Sequence, residues 1–196
     1  MNIQHILLAI FWIIFGVLHS WLASIGVKNK IGKFFGADFK YYRICYTLFA
    51  FVSMTAIIGY QLSIMSPLLF QPTNGSNIIG CVGAVTGVII MFICIKKYFF
   101  SLSGLRALII EHKGADLIIT GIHRYVRHPL YLGTFLFIWS LFILFPHLSL
   151  LIADIIITTY TLIGIYFEEA KLEAQFGESY KRYKATVPKL IPFLKG

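Results

Sequence analysis

The chain has 196 residues, 58% of them hydrophobic and 13% charged, with a formal net charge of +9. A soluble globular domain carries about a quarter charged residues, so this composition excludes an ordinary water-soluble fold and points to lipid. The surplus of lysine and arginine does not indicate nucleic acid, because those residues fall in particular connectors between apolar runs.

Taken in chain order, residues 3 to 22 form an apolar run of membrane-spanning length, since about 20 helical residues cross roughly 30 Å of hydrocarbon. Further runs cover about 44 to 65, 77 to 95, 129 to 145 and 148 to 167. The fourth is short and needs local thinning or protein burial at its end. The expected fold is all-α: a polytopic membrane protein of about five transmembrane helices, forming one integral-membrane domain over 1–196. Residues 1–95 hold the first three spans, and 96–196 hold the last two and a carboxyl-terminal helix. The first run does not read as a cleavable signal, because no positive charge precedes it and basic residues follow it.

The connector "KNKIGKFFGADFKYYR" (28 to 43) reads as an interfacial helix, with aromatic and aliphatic side chains near one face and lysines that snorkel toward headgroups. In the third run, Gly80, Gly83, Ala84 and Gly87 could suggest a nucleotide loop. No strand precedes them and the run continues as a span, so they read instead as small residues that admit a neighbouring helix. Cys45, Cys81 and Cys94 lie in separate spans without metal or disulfide spacing, and they are expected to be buried packing residues. No metal site is expected.

Residues 97 to 128 form the longest stretch outside the spans and are expected to fold back against the helix ends. Pro129 is suited to the first position of a helix, where its missing N–H is not needed. That places His128 near the N-cap and Arg127 just outside. The turn at Pro146–His147 is very short, so the fourth and fifth spans are antiparallel neighbours. Glu168 and Glu169 at the end of the fifth therefore meet Arg127 and His128 at one depth. Charge alone allows either a salt-bridged collar or a site. Asp154, inside the fifth span, is a functional candidate by position. It also lies near a helix N-terminus, where the dipole favours it, and the structural role is preferred.

Beyond that span, Leu172, Phe176, Tyr180, Tyr183 and Val187 recur on one helical face, with charged residues on the others. An amphipathic cytoplasmic helix that ends near Pro188 is expected, with a kink or a close contact at Gly177. Every Lys and Arg follows the first, third or fifth span. The positive-inside rule then puts the amino terminus outside and the carboxyl terminus in the cytoplasm, with the bacterial inner membrane as the expected location.

Four pieces in order carry a resemblance: Arg-His-Pro-x-Tyr-x-Gly within "LIITGIHRYVRHPLYLG" (117 to 133), the paired glutamates, Phe-Gly-x-x-Tyr-x-x-Tyr, and Val-Pro-x-Leu-Ile-Pro. Over about the last 80 residues the chain resembles the integral-membrane methyltransferases grouped around isoprenylcysteine carboxyl methyltransferase and phosphatidylethanolamine N-methyltransferase. The amino-terminal half, with "HSWLAS" and "SGLR", looks most like the bacterial methanethiol S-methyltransferase branch. The resemblance implies S-adenosylmethionine bound at the cytoplasmic ends of the last two spans. It assigns the cofactor contacts to Asp116, Leu117, Ile118, His123, His128, Pro129, Leu130, Tyr131, Glu168 and Glu169. The general base stays open, with Arg127 and His123 as candidate catalytic residues.

Two departures from the family pattern matter. His123 stands where the family carries tyrosine in Gly-x-Tyr. The isoprenylcysteine branch has a basic residue about one turn before the glutamates, where this chain has Gly164, Ile165 and Tyr166. The implied acceptor is therefore a small or lipophilic thiol, methanethiol-like, taken from solution or from the surrounding membrane lipid. The alternatives are carboxyl or phospholipid methylation, an NADPH-dependent membrane reductase on the same scaffold, or a non-enzymatic scaffold. A haem pair of His19 and His128 is disfavoured, since nothing fixes their separation.

Overall fold

A computed structural model describes residues 2–35, 41–102, 117 and 119–192. All regular structure among them is helical: α1 (Ile3–Ala23), α2 (Ile25–Phe35), α3 (Tyr42–Ser63), α4 (Asn74–Leu102), a 3-10 turn (Gly121–Arg124), α5 (Pro129–Leu144), α6 (Leu148–Phe176) and α7 (Glu178–Thr186). Among the described residues, four helices are long and apolar enough to cross a membrane: Ile3–Ala23, Ile44–Ser63, Asn74–Lys96 and Leu148–Phe176. α5 is apolar but has only 16 residues. At 1.5 Å per residue it reaches about 24 Å, short of the hydrocarbon thickness, as expected for the fourth run.

The described residues fall into two compact units. In the first, α1 pairs with α3, and the start of α6 packs with them. Leu8, Trp12, Ile64 and Ala153 form its buried centre. Lipid supplies no hydrophobic drive between helices, so polar contacts matter for pairing. Trp12 Nε1 donates to Gln61 Oε1 at 3.1 Å, and Ser66 Oγ lies 3.2 Å from His5 Nε2 while accepting from Ser149 N at 2.8 Å. His19 is held by the Tyr46 hydroxyl, 2.9 Å from Nε2, and stacks on Phe15. That gives it a packing role. Asp154 is 2% exposed, and its Oδ2 has no hydrogen-bond partner among the described residues. It follows six residues after the start of α6, beyond the first turn in which the dipole acts most strongly.

The helix expected in the 28 to 43 connector begins earlier than the sequence suggests, at Ile25, and ends at Phe35; residues 36–40 lie outside the described residues. α4 runs on to Leu102, into the stretch read as a connector. Cys94 is buried, but Cys45 and Cys81 are exposed, which corrects the expectation that all three are packing residues. An apolar side chain facing lipid carries no burial penalty, so hydrophobic neighbours did not imply burial.

The second unit is built on the α4–α5 contact. A Cβ placed on Gly87 would lie 2.7 Å from the Gly133 carbonyl oxygen and 2.8 Å from Phe137 N. One on Gly80 would meet Leu144 at 2.7 Å, and one on Gly83 would collide with Ser140 Oγ. The small residues of the third run thus form a groove for α5 rather than a phosphate loop. Trp139 Nε1 donates to Thr158 Oγ1 at 3.1 Å, tying α5 to α6 in antiparallel fashion. This brings the start of α5 beside the end of α6.

Candidate active site

Pro129 opens α5, and His128 is its N-cap residue, though its side chain makes no capping hydrogen bond. The imidazole is directed instead at α6. His128 Nε2 lies 3.1 Å from Glu169 Oε1, and because a carboxylate only accepts, Nε2 carries the hydrogen. Its Nδ1 is 3.9 Å from Glu168 Oε2. Burial lowers the His128 pKa, against the opposing pull of Glu168 and Glu169, so the ring stays neutral near pH 7.

Arg127 is the centre of the arrangement. Its Nε donates to Glu169 Oε1 at 2.9 Å, and Nη2 lies 2.8 Å from the same oxygen, with side-chain exposures of 5% and 6%. Nη1 donates to the carbonyls of Lys184, at 2.9 Å, and Val187. All three guanidinium nitrogens are therefore engaged by protein groups. The backbone adds two links: Arg127 N to Pro188 O at 2.9 Å and His128 N to Lys189 O at 3.1 Å. Tyr183 Oη donates to the His123 carbonyl at 2.7 Å. Together these bonds dock the segment from α7 to Lys189 as a strap against the start of α5.

The two glutamates have different environments. Successive helical residues point about 100° apart, so they cannot share one direction. Glu169 is buried and receives three donors on Oε1, while Oε2 has Lys184 Nζ at 3.7 Å. Glu168 keeps 43% side-chain exposure and accepts from Tyr131 Oη at 3.0 Å. The His128 and Tyr131 rings stack, with centroids 5.7 Å apart. A half-open carboxylate, a neutral imidazole and the uncapped start of a helix thus lie together.

Among the other residues singled out from sequence, Pro129 is buried and Leu130 is half-buried. His123 sits in the 3-10 turn, with Nδ1 3.2 Å from the Arg127 carbonyl. Leu117 is half-buried in irregular chain, whereas Asp116 and Ile118 lie outside the described residues. Sequence reasoning missed the strap's share. Tyr180 and Tyr183 are both buried, with ring centroids 6.0 Å apart. The signal was the Phe-Gly-x-x-Tyr-x-x-Tyr spacing, read as an apolar face and as a piece of the family resemblance but given no part in the site. α6 and α7 are separate helices because Gly177 adopts φ +54. A Cβ there would meet nothing within 4 Å. Backbone conformation, and not a close contact, explains this glycine.

The fold and the site describe a helical membrane protein whose chemistry-bearing side chains gather where two apolar helices and a carboxyl-terminal strap meet. The chain belongs to the phospholipid methyltransferase family, whose model matches residues 76–179. It is 30% identical over 162 residues to a methanethiol S-methyltransferase of Crocosphaera subtropica, covering 78% of this chain and 61% of that protein. A methanethiol S-methyltransferase 2 of Bradyrhizobium diazoefficiens is 36% identical over 103 residues, covering 48% of this chain and 38% of that protein. A protein-S-isoprenylcysteine O-methyltransferase of Schizosaccharomyces pombe is 32% identical over 114 residues, covering 53% of this chain and 48% of that protein. Each match thus spans under two thirds of the relative's own length. No solved structure gives a significant match.

Proposed function

We propose that the protein is an S-adenosylmethionine-dependent methyltransferase that methylates a small or lipophilic thiol. The observation that carries this reading is the division of labour between the glutamates. Glu169 is taken up by Arg127 and His128, whereas Glu168 presents a half-open carboxylate beside the start of α5. An α-amino acid needs an acceptor for its ammonium and donors for its carboxylate. Glu168 supplies the first, and N–H groups at a helix N-terminus favour the second. The donor set therefore fits the amino-acid end of the cofactor. Leu130 and Tyr131 lie in the first turn of α5, and the family resemblance adds Leu117 and His123 from the preceding chain.

When bound, the cofactor supplies a sulfonium methyl as the electrophile. The protein's part is to hold the two reactants in line and to exclude water, which strengthens the attraction between a thiolate and a sulfonium. Arg127 acts as a positioning residue in this reading, since its hydrogen bonds go to Glu169 and to the strap. His123 stays the candidate for lowering an acceptor's pKa. The surrounding aromatic and aliphatic side chains leave the acceptor to be bound by apolar contact, from the bilayer or from solution.

Two features favour a thiol over a carboxylate. Ile165, one turn before Glu169, is an apolar residue with no exposed surface, in the turn where, by the resemblance, the isoprenylcysteine branch carries a basic residue. Several of the relatives bear the name methanethiol S-methyltransferase. An NADPH-dependent reduction is less well supported, because the guanidinium of Arg127 is already taken up and is not available to a phosphate. The charge asymmetry along the chain supports a site on the cytoplasmic side, and a bacterial inner membrane is the location this reading takes. The test is a competition assay with methyl-labelled cofactor and detergent-solubilised protein, offering a small hydrophobic thiol beside a prenylcysteine with a free carboxylate. Faster labelling of the thiol is expected. Clear preference for the carboxylate substrate overturns the thiol assignment, and labelling of neither, with NADPH oxidised instead, overturns the methyltransferase reading.

A further inference from the structure

We propose that Tyr180 is a ligand-binding residue, its phenol donating a hydrogen bond to the α-carboxylate at the cofactor's amino-acid end; this rests on the reading of the site given above. Tyr180 is 1% exposed, and its hydroxyl oxygen has no hydrogen-bond partner among the described residues. A buried hydroxyl left without a partner is destabilising, and a chain that needed only bulk at this position would be better served by phenylalanine.

The surroundings identify the missing partner. Tyr180 lies one helical turn before Lys184, whose Nζ is 3.7 Å from Glu169 Oε2 and whose carbonyl accepts from Arg127 at 2.9 Å, so it sits on the segment docked at these charges. Burial together with Glu169 pushes its pKa up to about 12. It stays protonated in any physiological buffer and serves as a donor. The other side-chain donors near the carboxylates are already directed at protein acceptors. Arg127 is spent on Glu169 and two carbonyls, His128 on Glu169, and Tyr131 on Glu168. In an α-amino acid, ammonium and carboxylate share one carbon. A ligand whose ammonium meets Glu168 therefore brings its carboxylate into the same small region, where the Tyr180 hydroxyl is the side-chain donor left over, joining the main-chain N–H groups at the start of α5.

The strap makes such a contact reachable. α7 carries Tyr180 and joins α6 through Gly177, whose positive φ and open surroundings leave it a natural pivot. Solvent does not reach the hydroxyl, so the ligand carboxylate enters with a small outward rotation of α7 and the strap closes over it. Tyr183, three residues on, has a different duty: its hydroxyl holds the strap to His123. One tyrosine fastens the strap and the other meets the ligand.

The test measures equilibrium binding of S-adenosylmethionine and of its decarboxylated analogue to detergent-solubilised protein, with thermal unfolding in the absence of ligand. Tyr180→Phe is expected to weaken S-adenosylmethionine binding about tenfold, the scale of one hydrogen bond to a charged group. It should change binding of the decarboxylated compound less than twofold and leave the unfolding temperature unchanged or higher. Tyr183→Phe should lower the unfolding temperature. Equal weakening for both compounds, or none for either, overturns the assignment. If Tyr180→Phe does not fold, the unmodified protein decides alone: it must bind the carboxylate-bearing compound more tightly, and equal affinity for the two overturns the proposal. Binding of neither compound by the unmodified protein removes the methyltransferase reading itself, and this proposal with it.

Discussion

Arg127 and Glu169, 42 residues apart in sequence, join through Nε at 2.9 Å and Nη2 at 2.8 Å, with almost no exposed side-chain surface. Breaking a buried pair by removing one partner leaves an uncompensated charge and costs about 3–5 kcal/mol. Glu169→Gln and Arg127→Gln are each expected to lower stability on that scale, read by thermal unfolding in detergent. The double substitution Arg127→Met with Glu169→Leu should recover part of the loss, since it leaves no orphaned charge. Single losses below about 1 kcal/mol would make this an exposed-type pair of little consequence.

A pH dependence follows from His128, whose pKa is lowered in the folded protein chiefly by burial. The unfolded chain titrates near about 6.5 and so binds more protons than the native state as the pH falls below that value. The stability contributed is full above the unfolded pKa and is lost on acidification toward the depressed native one. Unfolding temperatures recorded from pH 8 downward should fall below about pH 6.5, and His128→Asn should flatten that fall. A rise in stability on acidification would contradict the assignment of a neutral buried ring.

The contact between α4 and α5 makes a third expectation. Gly87→Ala places a methyl group 2.7 Å from the Gly133 carbonyl oxygen, which is backbone and cannot step aside as a flexible side chain can. Overpacking of this kind costs about 1–3 kcal/mol. Because α5 carries the start of the site, ligand binding should weaken with it. Gly75→Ala, whose nearest neighbour would be Thr73 Oγ1 at 3.9 Å, is the neutral control.

Gly177→Ala tests the junction of α6 and α7. With φ +54 and ψ −129, the position falls where a side chain is strained whatever the space around it. A loss of about 1–3 kcal/mol is expected, concentrated in the strap, so limited proteolysis after α6 should accelerate more than global unfolding does. Unchanged proteolysis would mean that the strap is held independently of this residue.

Much of the architecture was legible because it rests on local chemistry. Pro129 marks the start of α5 since its missing N–H and fixed φ suit a first turn, and Gly80, Gly83 and Gly87 announce a close helix approach. The short Pro146–His147 turn forces antiparallel packing, which sets Arg127 and His128 opposite the glutamates. The strap was less legible. Arg127 donates to the main-chain carbonyls of Lys184 and Val187, and every residue has a carbonyl, so no sequence pattern marks those two. Tyr180 and Tyr183 share an apolar face at helical spacing, which hides that one hydroxyl is bonded and the other is not. Nor could adjacency in sequence tell Glu168 from Glu169; only the direction of each on α6 does.

The most direct measurement is a titration of labelled S-adenosylmethionine into detergent-solubilised protein, repeated with Glu168→Gln and in the presence of NADPH. Saturable binding is expected for the unmodified protein, insensitive to NADPH. Glu168→Gln should weaken it by roughly 2 kcal/mol, the scale of a hydrogen bond to a charged group, without lowering the unfolding temperature in the absence of ligand. Displacement by NADPH, or equal binding by the unmodified protein and Glu168→Gln, would contradict the account.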